Sequence, residues 1–336
     1  MKNSTIKALS ASALISASLL ATTDVMAERT LRLSLQVSAK HPVGANIVYF
    51  KEQVEKASNG ELKLEIYDSA QLYKGSEIPQ AVGSGSIDMG LVLISEYAGT
   101  IPAVGLFSVA FMFPSYEVLA KAADPSSPVR QEIDELIRQT GTRVMWWQDY
   151  GPVQLLSKGE AVTEPSQMKD KKVRVLGKPS GDFIEALGGV PVKIGGSEQF
   201  LAYQRGTVDI GMTGTTAIES RKLYEVMNAV TITNHAQTEF LIVMNDKLWD
   251  SMSDQEKKWM GQAALSAEMK MRAETKEKNL ASEKFIADKT DMKVVNLTPA
   301  QLTAWQEAAA PAINEYIKSA GPAGQRLVDE VRKLYD

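Results

Sequence analysis

Side chains able to do chemistry are few in this chain, and two of them stand in matching places. Asp88 and Asp209 lie near the ends of two copies of one pattern, E-x-x-x-A-x-x-x-G-x-[IV]-D-[IM]-G, from Glu77 to Gly90 and from Glu198 to Gly211. Each copy follows a Gly-Ser pair, Gly75-Ser76 or Gly196-Ser197. Paired carboxylates facing each other across a cleft could exchange protons with a substrate. Their equal positions near a strand start point instead to a structural task. His41 and His235 are the only histidines and there is no cysteine. Neither histidine stands at metal-ligand spacing from another, and neither a phosphate loop nor a nucleophile elbow is present. Catalysis therefore has little support, and no cofactor or metal is expected.

The elements that must position these residues form one unit used twice. Ser76 or Ser197 is placed to cap a short helix, and Glu77 or Glu198 sits in its electropositive first turn. Gly85 or Gly206 stops the helix, and a strand follows from Ile87 or Val208. A repeated half-domain suggests two similar lobes, and ligands in open α/β sheets bind outside the carboxyl ends of the strands. The expectation is an α/β fold built as a two-lobed clamp.

Residues 1–27 read as an export signal. Lys2 and Lys7 are positive, Ala8 to Ala21 is apolar but too short to span a bilayer, and Val25-Met26-Ala27 offers the small residues needed for cleavage after Ala27. No later segment has the ~18 to 20 apolar residues of a membrane helix. Without cysteine there is no disulfide and no lipid-attachment site. A soluble, untethered exported protein points to the periplasm of a two-membrane bacterium. The net charge of −4 carries no nucleic-acid footprint, and 336 residues suit two domains.

Along the chain, strands are expected at Leu31 to Val37, Leu62 to Tyr67, Ile87 to Leu93, Leu106 to Phe111 and Thr142 to Trp147, with helices at Asn46 to Ala57 and Val129 to Thr140. A second series follows: strands at Val153 to Ser157, Lys172 to Leu176, Val190 to Ile194, Val208 to Thr213, Ala229 to Thr233 and Phe240 to Val243, with a helix at Ser180 to Leu187. Ser253-x-x-Glu256 is a capping box opening a proline-free helix to about Asp288, which at 1.5 Å per residue is ~50 Å long, enough to run along both lobes. Helices at Thr298 to Ser319 and Ala323 to Tyr335 close the chain. The first lobe is then 28–150 plus about 236–260, the second 151–235 plus about 285–320, with 253–288 spanning both and 321–336 a final helix.

Ordered motifs through the mature chain carry a family resemblance. They are Val54-Glu55-Lys56, Asn59-Gly60, Gln71-Leu72, Met168 to Val175 (MKDKKVRV), Leu187 to Val192 (LGGVPV), Gln204 to Asp209 (QRGTVD), Lys222 to Val226 (KLYEV) and Thr233-Asn234-His235. The chain resembles the substrate-binding proteins of tripartite ATP-independent periplasmic (TRAP) transporters, the DctP family. That resemblance implies a receptor, expected to be a monomer, that closes over a small organic acid and hands it to a TRAP membrane permease driven by an ion gradient. It also implies that the arginine of the K-x-R-V strand, Arg174, pairs with the ligand carboxylate, for which a planar guanidinium offers two parallel donors.

Other family positions depart from the pattern. Gln36 keeps a polar first-strand residue. Val153 falls where the sialate-binding branch has a second arginine, Leu93 where there is an acidic residue, Thr213 where there is an asparagine, and Gly196 where there is a bulky residue. The resemblance therefore implies a roomier, more apolar pocket with one charged anchor, suited to a monocarboxylate with an apolar or aromatic body. Trp146, Trp147 and Tyr150 could stack on such a ligand. The nearest alternatives are the receptor of an ATP-driven importer and the sensing component of a two-component system, which share the clamp architecture.

Overall fold

A computed structural model describes residues 28–335, so the expected export signal at 1–27 lies outside the described residues. Nine strands join in one sheet: β1 (Arg29–Ser34), β2 (Leu62–Tyr67), β3 (Met89–Leu93), β4 (Thr142–Ser157), β5 (Lys172–Val175), β6 (Val190–Lys193), β7 (Ile210–Gly214), β8 (Ala229–Asn245) and β9 (Lys293–Asn296). Ten helices accompany them: α1 (Pro42–Ala57), α2 (Ile78–Gly83), α3 (Tyr116–Ala122), α4 (Pro128–Arg138), α5 (Lys178–Ala186), α6 (Gln199–Gln204), α7 (Thr215–Ser220), α8 (Asp246–Ser251), α9 (Asp254–Lys289) and α10 (Pro299–Arg332).

The strand order β2-β1-β3-β8-β4-β7-β5-β6 is symmetric about its centre, with β9 added beside β8. β2-β1-β3 and β6-β5-β7 are parallel triplets, and each meets a long strand of opposite direction, β8 for the first and β4 for the second. The repeated pattern accounts for this symmetry residue by residue. The Asp88 carboxylate accepts the backbone N–H of Arg32 in β1 at 2.7 Å, and that of Asp209 accepts the N–H of Lys172 in β5 at 2.8 Å. The two aspartates tie equivalent strands and take no part in a cleft. The final glycine of each copy admits the overlying helix: a Cβ on Gly90 would lie 2.4 Å from Ile78 and one on Gly211 2.3 Å from Tyr203. Gly85 and Gly206 adopt φ of +78° and +69°, as helix stops require. Ser76 and Ser197 are not caps. Both lie inside 3-10 turns, and the first turn is closed by the Glu77 carboxylate accepting the Lys74 backbone N–H at 2.7 Å.

β4 and β8 pair with each other along almost their whole lengths and serve both triplets. The sequence suggested two short strands in each place; the intervening Gly151 and Asn234 are instead accommodated as irregularities. Gly151 has φ +86° and Asn234 φ +46°. Register shifts fall between Asp149 and Gly151 and between Val153 and Leu155, where the facing residue on β8 jumps from Ala236 to Thr231. Gln154 holds this crossing together: its Oε1 accepts from the backbone of Thr233 (2.9 Å) and Asn234 (3.1 Å), and its Nε2 donates to Asn234 Oδ1 (2.8 Å).

The expected strand at Leu106 to Phe111 is absent. Pro102 starts a 3-10 helix through Ser108, whose Gly105 packs closely on Pro179. α9 begins at the Ser253 capping box and runs unbroken past both triplets. Asn46 of α1 donates to the carbonyl of Ala267, Thr275 to that of Asp149, and Ser282 to the carboxylate of Glu219 in α7. Its buried stripe mixes small, polar and apolar residues: Met260, Ala264, Ala267, Met271, Thr275, Asn279, Ser282 and Ile286. α10 is interrupted at Gly321 (φ +62°), giving the two closing helices the sequence suggested.

Candidate functional site

Six of the expected residues converge where the carboxyl ends of the strands meet. Gln36, Leu93, Tyr150, Arg174, Gly196 and Thr213 line one narrow cavity, completed by Glu96, Leu176, Arg221 and Phe240. Gln36 follows β1, Leu93 ends β3, Arg174 lies in β5 and Thr213 in β7, so both triplets contribute. This is the crevice at which open α/β sheets bind ligands.

Arg174 is the best-prepared group in it. Only 3% of the residue is exposed. Its Nε donates to the Ile194 carbonyl at 2.9 Å and Nη1 to the Met212 carbonyl at 2.5 Å, so two backbone oxygens fix the guanidinium plane. Among the described residues no carboxylate pairs with it, and Nη2 has no protein acceptor. Burial, opposed by the nearby Tyr203 and aided by Arg221, lowers its pKa below the usual arginine value. A guanidinium stays protonated in proteins even when its pKa is lowered, so the cavity holds a cation awaiting an anion.

The walls are mixed. Leu93, Leu176 and Phe240 are apolar and buried, with the Tyr150 ring edge-on to Phe240 at 5.1 Å between centroids. The Tyr150 hydroxyl and the Thr213 hydroxyl lie 3.4 Å apart, and Gly214 admits the Tyr150 ring, since a Cβ there would sit 2.6 Å from it.

Three expected contacts are not in the cavity. Trp147 is buried in the core behind the sheet, edge-on to Phe107 at 4.9 Å, with its Nε1 donating to Asp134 and Arg130 over its ring. Trp146 points to the opposite face and packs on Phe50 at 4.4 Å, so strand alternation sends both tryptophans into core. Val153 is fully buried between Gly214 and Ala236 in the sheet, and its side chain joins the main core.

The sequence also missed a second cation. Arg221, at the end of α7, brings its guanidinium over Gly196: a Cβ on Gly196 would meet Arg221 Nη2 at 2.9 Å and Gln36 Oε1 at 3.2 Å. The space vacated at Gly196 is therefore occupied, and the expectation of a roomy pocket with one charged anchor is corrected. Arg221 follows a helix that starts at the carboxyl end of β7, and that position was the available signal. Gln199 holds it, accepting Arg221 Nη1 at 2.5 Å on Oε1 while its Nε2 donates to the Tyr203 hydroxyl at 3.0 Å.

The lobes meet around the cavity. Lys74 reaches Glu198 and Lys193 reaches Glu96, each at 2.8 Å, and Ser95 donates to the Leu176 carbonyl at 3.2 Å. These contacts cross from one triplet's side to the other, so the described state is closed.

Comparison with known proteins places the chain among solute receptors. The family described as bacterial extracellular solute-binding protein, family 7 (DctP) matches residues 33–319. The C4-dicarboxylate-binding periplasmic protein DctP of Rhodobacter capsulatus is 25% identical over 293 residues, 87% of each chain. The 2,3-diketo-L-gulonate-binding periplasmic protein of Escherichia coli is 23% identical over 317 residues, covering 92% of this chain and 94% of that one. Among solved structures, a TRAP periplasmic solute-binding protein of Sulfurospirillum deleyianum with bound succinate superposes with a TM-score of 0.85 at 25% identity, covering 92% of this chain and 99% of that one. The sugar acid binding protein of Advenella mimigardefordensis in complex with galactonate gives 0.87 at 22% identity, with the same coverage. No helix among the described residues is long and apolar enough to cross a membrane. The chain belongs to the DctP family of TRAP transporter receptors, and is a periplasmic solute-binding protein rather than an enzyme.

Proposed function

We propose that this receptor binds a small organic acid through a carboxylate pair with Arg174 and delivers it to a TRAP permease. The observation that carries the reading is Arg174 itself, buried, aimed by two backbone carbonyls and, among the described residues, without a carboxylate partner. In a closed, water-poor cleft such a pair is far stronger than at a surface. The relatives' names support an acid as ligand: succinate, galactonate and C4-dicarboxylates all carry carboxylates.

Within that class we favour a monocarboxylate with an apolar or aromatic body. Leu93, Leu176, Phe240 and the Tyr150 ring support it, because an apolar body gains by leaving water against them. Gln36 and Thr213 are the polar groups that would orient it, with Gly196 lining the remaining wall. The two lobes are drawn as 28–150 plus about 236–260 and 151–235 plus about 285–320, closing about the β4 and β8 crossing. The receptor acts as a monomer after cleavage behind Ala27.

Native mass spectrometry of the protein as purified, followed by a thermal-shift panel of organic acids, tests the reading. Branched or aromatic monocarboxylates raise the melting temperature, since only a ligand that prefers the folded state stabilises it. Stabilisation confined to polyhydroxylated acids or C4-dicarboxylates rejects the monocarboxylate assignment. No response to any acid rejects the function.

A further inference from the structure

Beside the Arg174 cavity, Arg221 and His41 share a second pocket with Gln36, Ser38 and Gly196. We propose that these two side chains form a second recognition point, which takes a neutral oxygen acceptor of the same ligand, a hydroxyl or a carbonyl, with a second carboxylate the charged alternative that the test separates. The inference rests on the reading of Arg174 as the carboxylate anchor, and adds a requirement on the other end of the molecule.

His41 supplies the first observation. It is 2% exposed, and its Nδ1 accepts the Val43 backbone N–H at 3.1 Å as the cap of α1. With Nδ1 an acceptor, the neutral ring carries its proton on Nε2. Burial, then the charges of Arg221 and Lys278, push the His41 pKa down to about 3, so the ring is neutral at any pH the periplasm offers. Nε2 is buried and meets no partner. A buried donor without an acceptor is costly to keep, and a ligand oxygen would satisfy it.

Arg221 supplies the second, from the opposite lobe. Nη1 is held by Gln199, a neutral amide, and Nη2 lies over Gly196. Among the described residues no carboxylate pairs with Arg221. Glu96, which lines the adjoining cavity, is already engaged by Lys193 at 2.8 Å. A guanidinium positioned by an amide and left unneutralised is arranged for an outside oxygen. Because one donor comes from each lobe, the point is complete only when the lobes are together, so a ligand that uses both rewards closure.

Matched triplets of acids test this: pentanoate, 4-oxopentanoate and pentanedioate, with the same comparison at longer chain lengths, by titration calorimetry. Within a triplet an oxygen-bearing acid binds about tenfold more tightly than its apolar parent. Arg221→Met and His41→Asn each reduce that preference, the oxygen-bearing acids losing more affinity than the apolar parent. Asparagine retains an acceptor to cap α1, so the second variant removes the Nε2 donor without removing the cap. Arg174→Met removes binding of every member. The oxo and the dicarboxylate arms separate a neutral from a charged second oxygen. Equal affinities within the triplets, binding by the apolar parents alone, a panel with no binder, or a preference unchanged in both variants overturns the second point. Binding that survives Arg174→Met instead strikes down the anchor, and the two failures are distinct.

Discussion

Lys74 and Glu198 join the lobes across the mouth of the cleft, ammonium to carboxylate at 2.8 Å. The contact holds the Glu198 carboxyl below and the Lys74 ammonium above their usual ranges, the side-chain hydrogen bond between them being the first cause in each. Lys193 and Glu96 make the reciprocal crossing. Both side chains of the first pair are about half exposed, so salt screens it. Ligand affinity should therefore weaken as ionic strength rises, and the dependence should shrink in Lys74→Ala. The loss at fixed salt stays small beside that at Arg174, because exposed pairs contribute little. Titrations across a salt series check this, and an identical salt slope in the variant refutes it.

Arg174→Lys should bind far more weakly although the charge is kept. One ammonium cannot hold the Ile194 and Met212 carbonyls and also offer a fork to a carboxylate. Loss of such a buried charged contact costs ~2 to 5 kcal/mol, a rise in Kd on the order of 30-fold to a few thousandfold. Near-normal affinity by calorimetry would remove Arg174 from the anchor role.

Asp88→Ala and Asp209→Ala should behave as a matched pair. Each loses one side-chain bond to a backbone N–H at a strand, worth about 1 kcal/mol of folding stability. Neither should alter the order in which acids are preferred, since neither lines the cavity. Chemical denaturation and one ligand panel suffice, and a change in ligand ranking in either variant contradicts the structural role.

Stability should fall as pH rises from about 4.5 towards about 8. Glu239 is buried at the crossing, and burial raises its pKa from 4.5 to about 8 against the pull of Arg272, which donates to it at 3.0 Å, while Asp149 across the strand adds to the rise. Glu268 and Arg272 of α9, Tyr116 of α3, and Arg130 and Asp134 of α4 complete the cluster. The folded chain thus keeps a proton that the unfolded chain has released, and stability is full below the unfolded pKa and lost through the folded one. Melting temperatures across this range should decline for the parent and flatten in Glu239→Gln. A parent profile that rises with pH would reverse the assignment.

What could be read from the chain was what local chemistry dictates. The Gly85 and Gly206 stops and the Ser253 capping box each depend on a few neighbouring residues, and all are present. A structural task for Asp88 and Asp209 could be read from their matching places, but not their partners, which lie on strands far back in the chain. β4 and β8 looked like pairs of short strands because Gly151 and Asn234 resemble terminators; tertiary pairing carries both strands through. The run Leu106 to Phe111 is apolar at every step but one, and such short runs do not separate strand from helix. In the site, residues near the ends of predicted strands could be placed. Arg221 could be suspected from its helix after the end of β7, but its reach over Gly196 could not be read, because it depends on Gln199 and the packing of two separate helices. Trp147 failed for the opposite reason: nearness in sequence to Tyr150 says nothing of the face on which an alternating strand sets it.

β4 and β8 belong to both lobes at once, and this bears on how the molecule comes apart. If the β2-β1-β3 side melted, the remaining side would keep two strands whose other halves had lost their neighbours, with their buried N–H and C=O groups unpaired. The half-melted form is thus costly on both sides of the hinge. A chain that looks like two domains should denature as one cooperative unit.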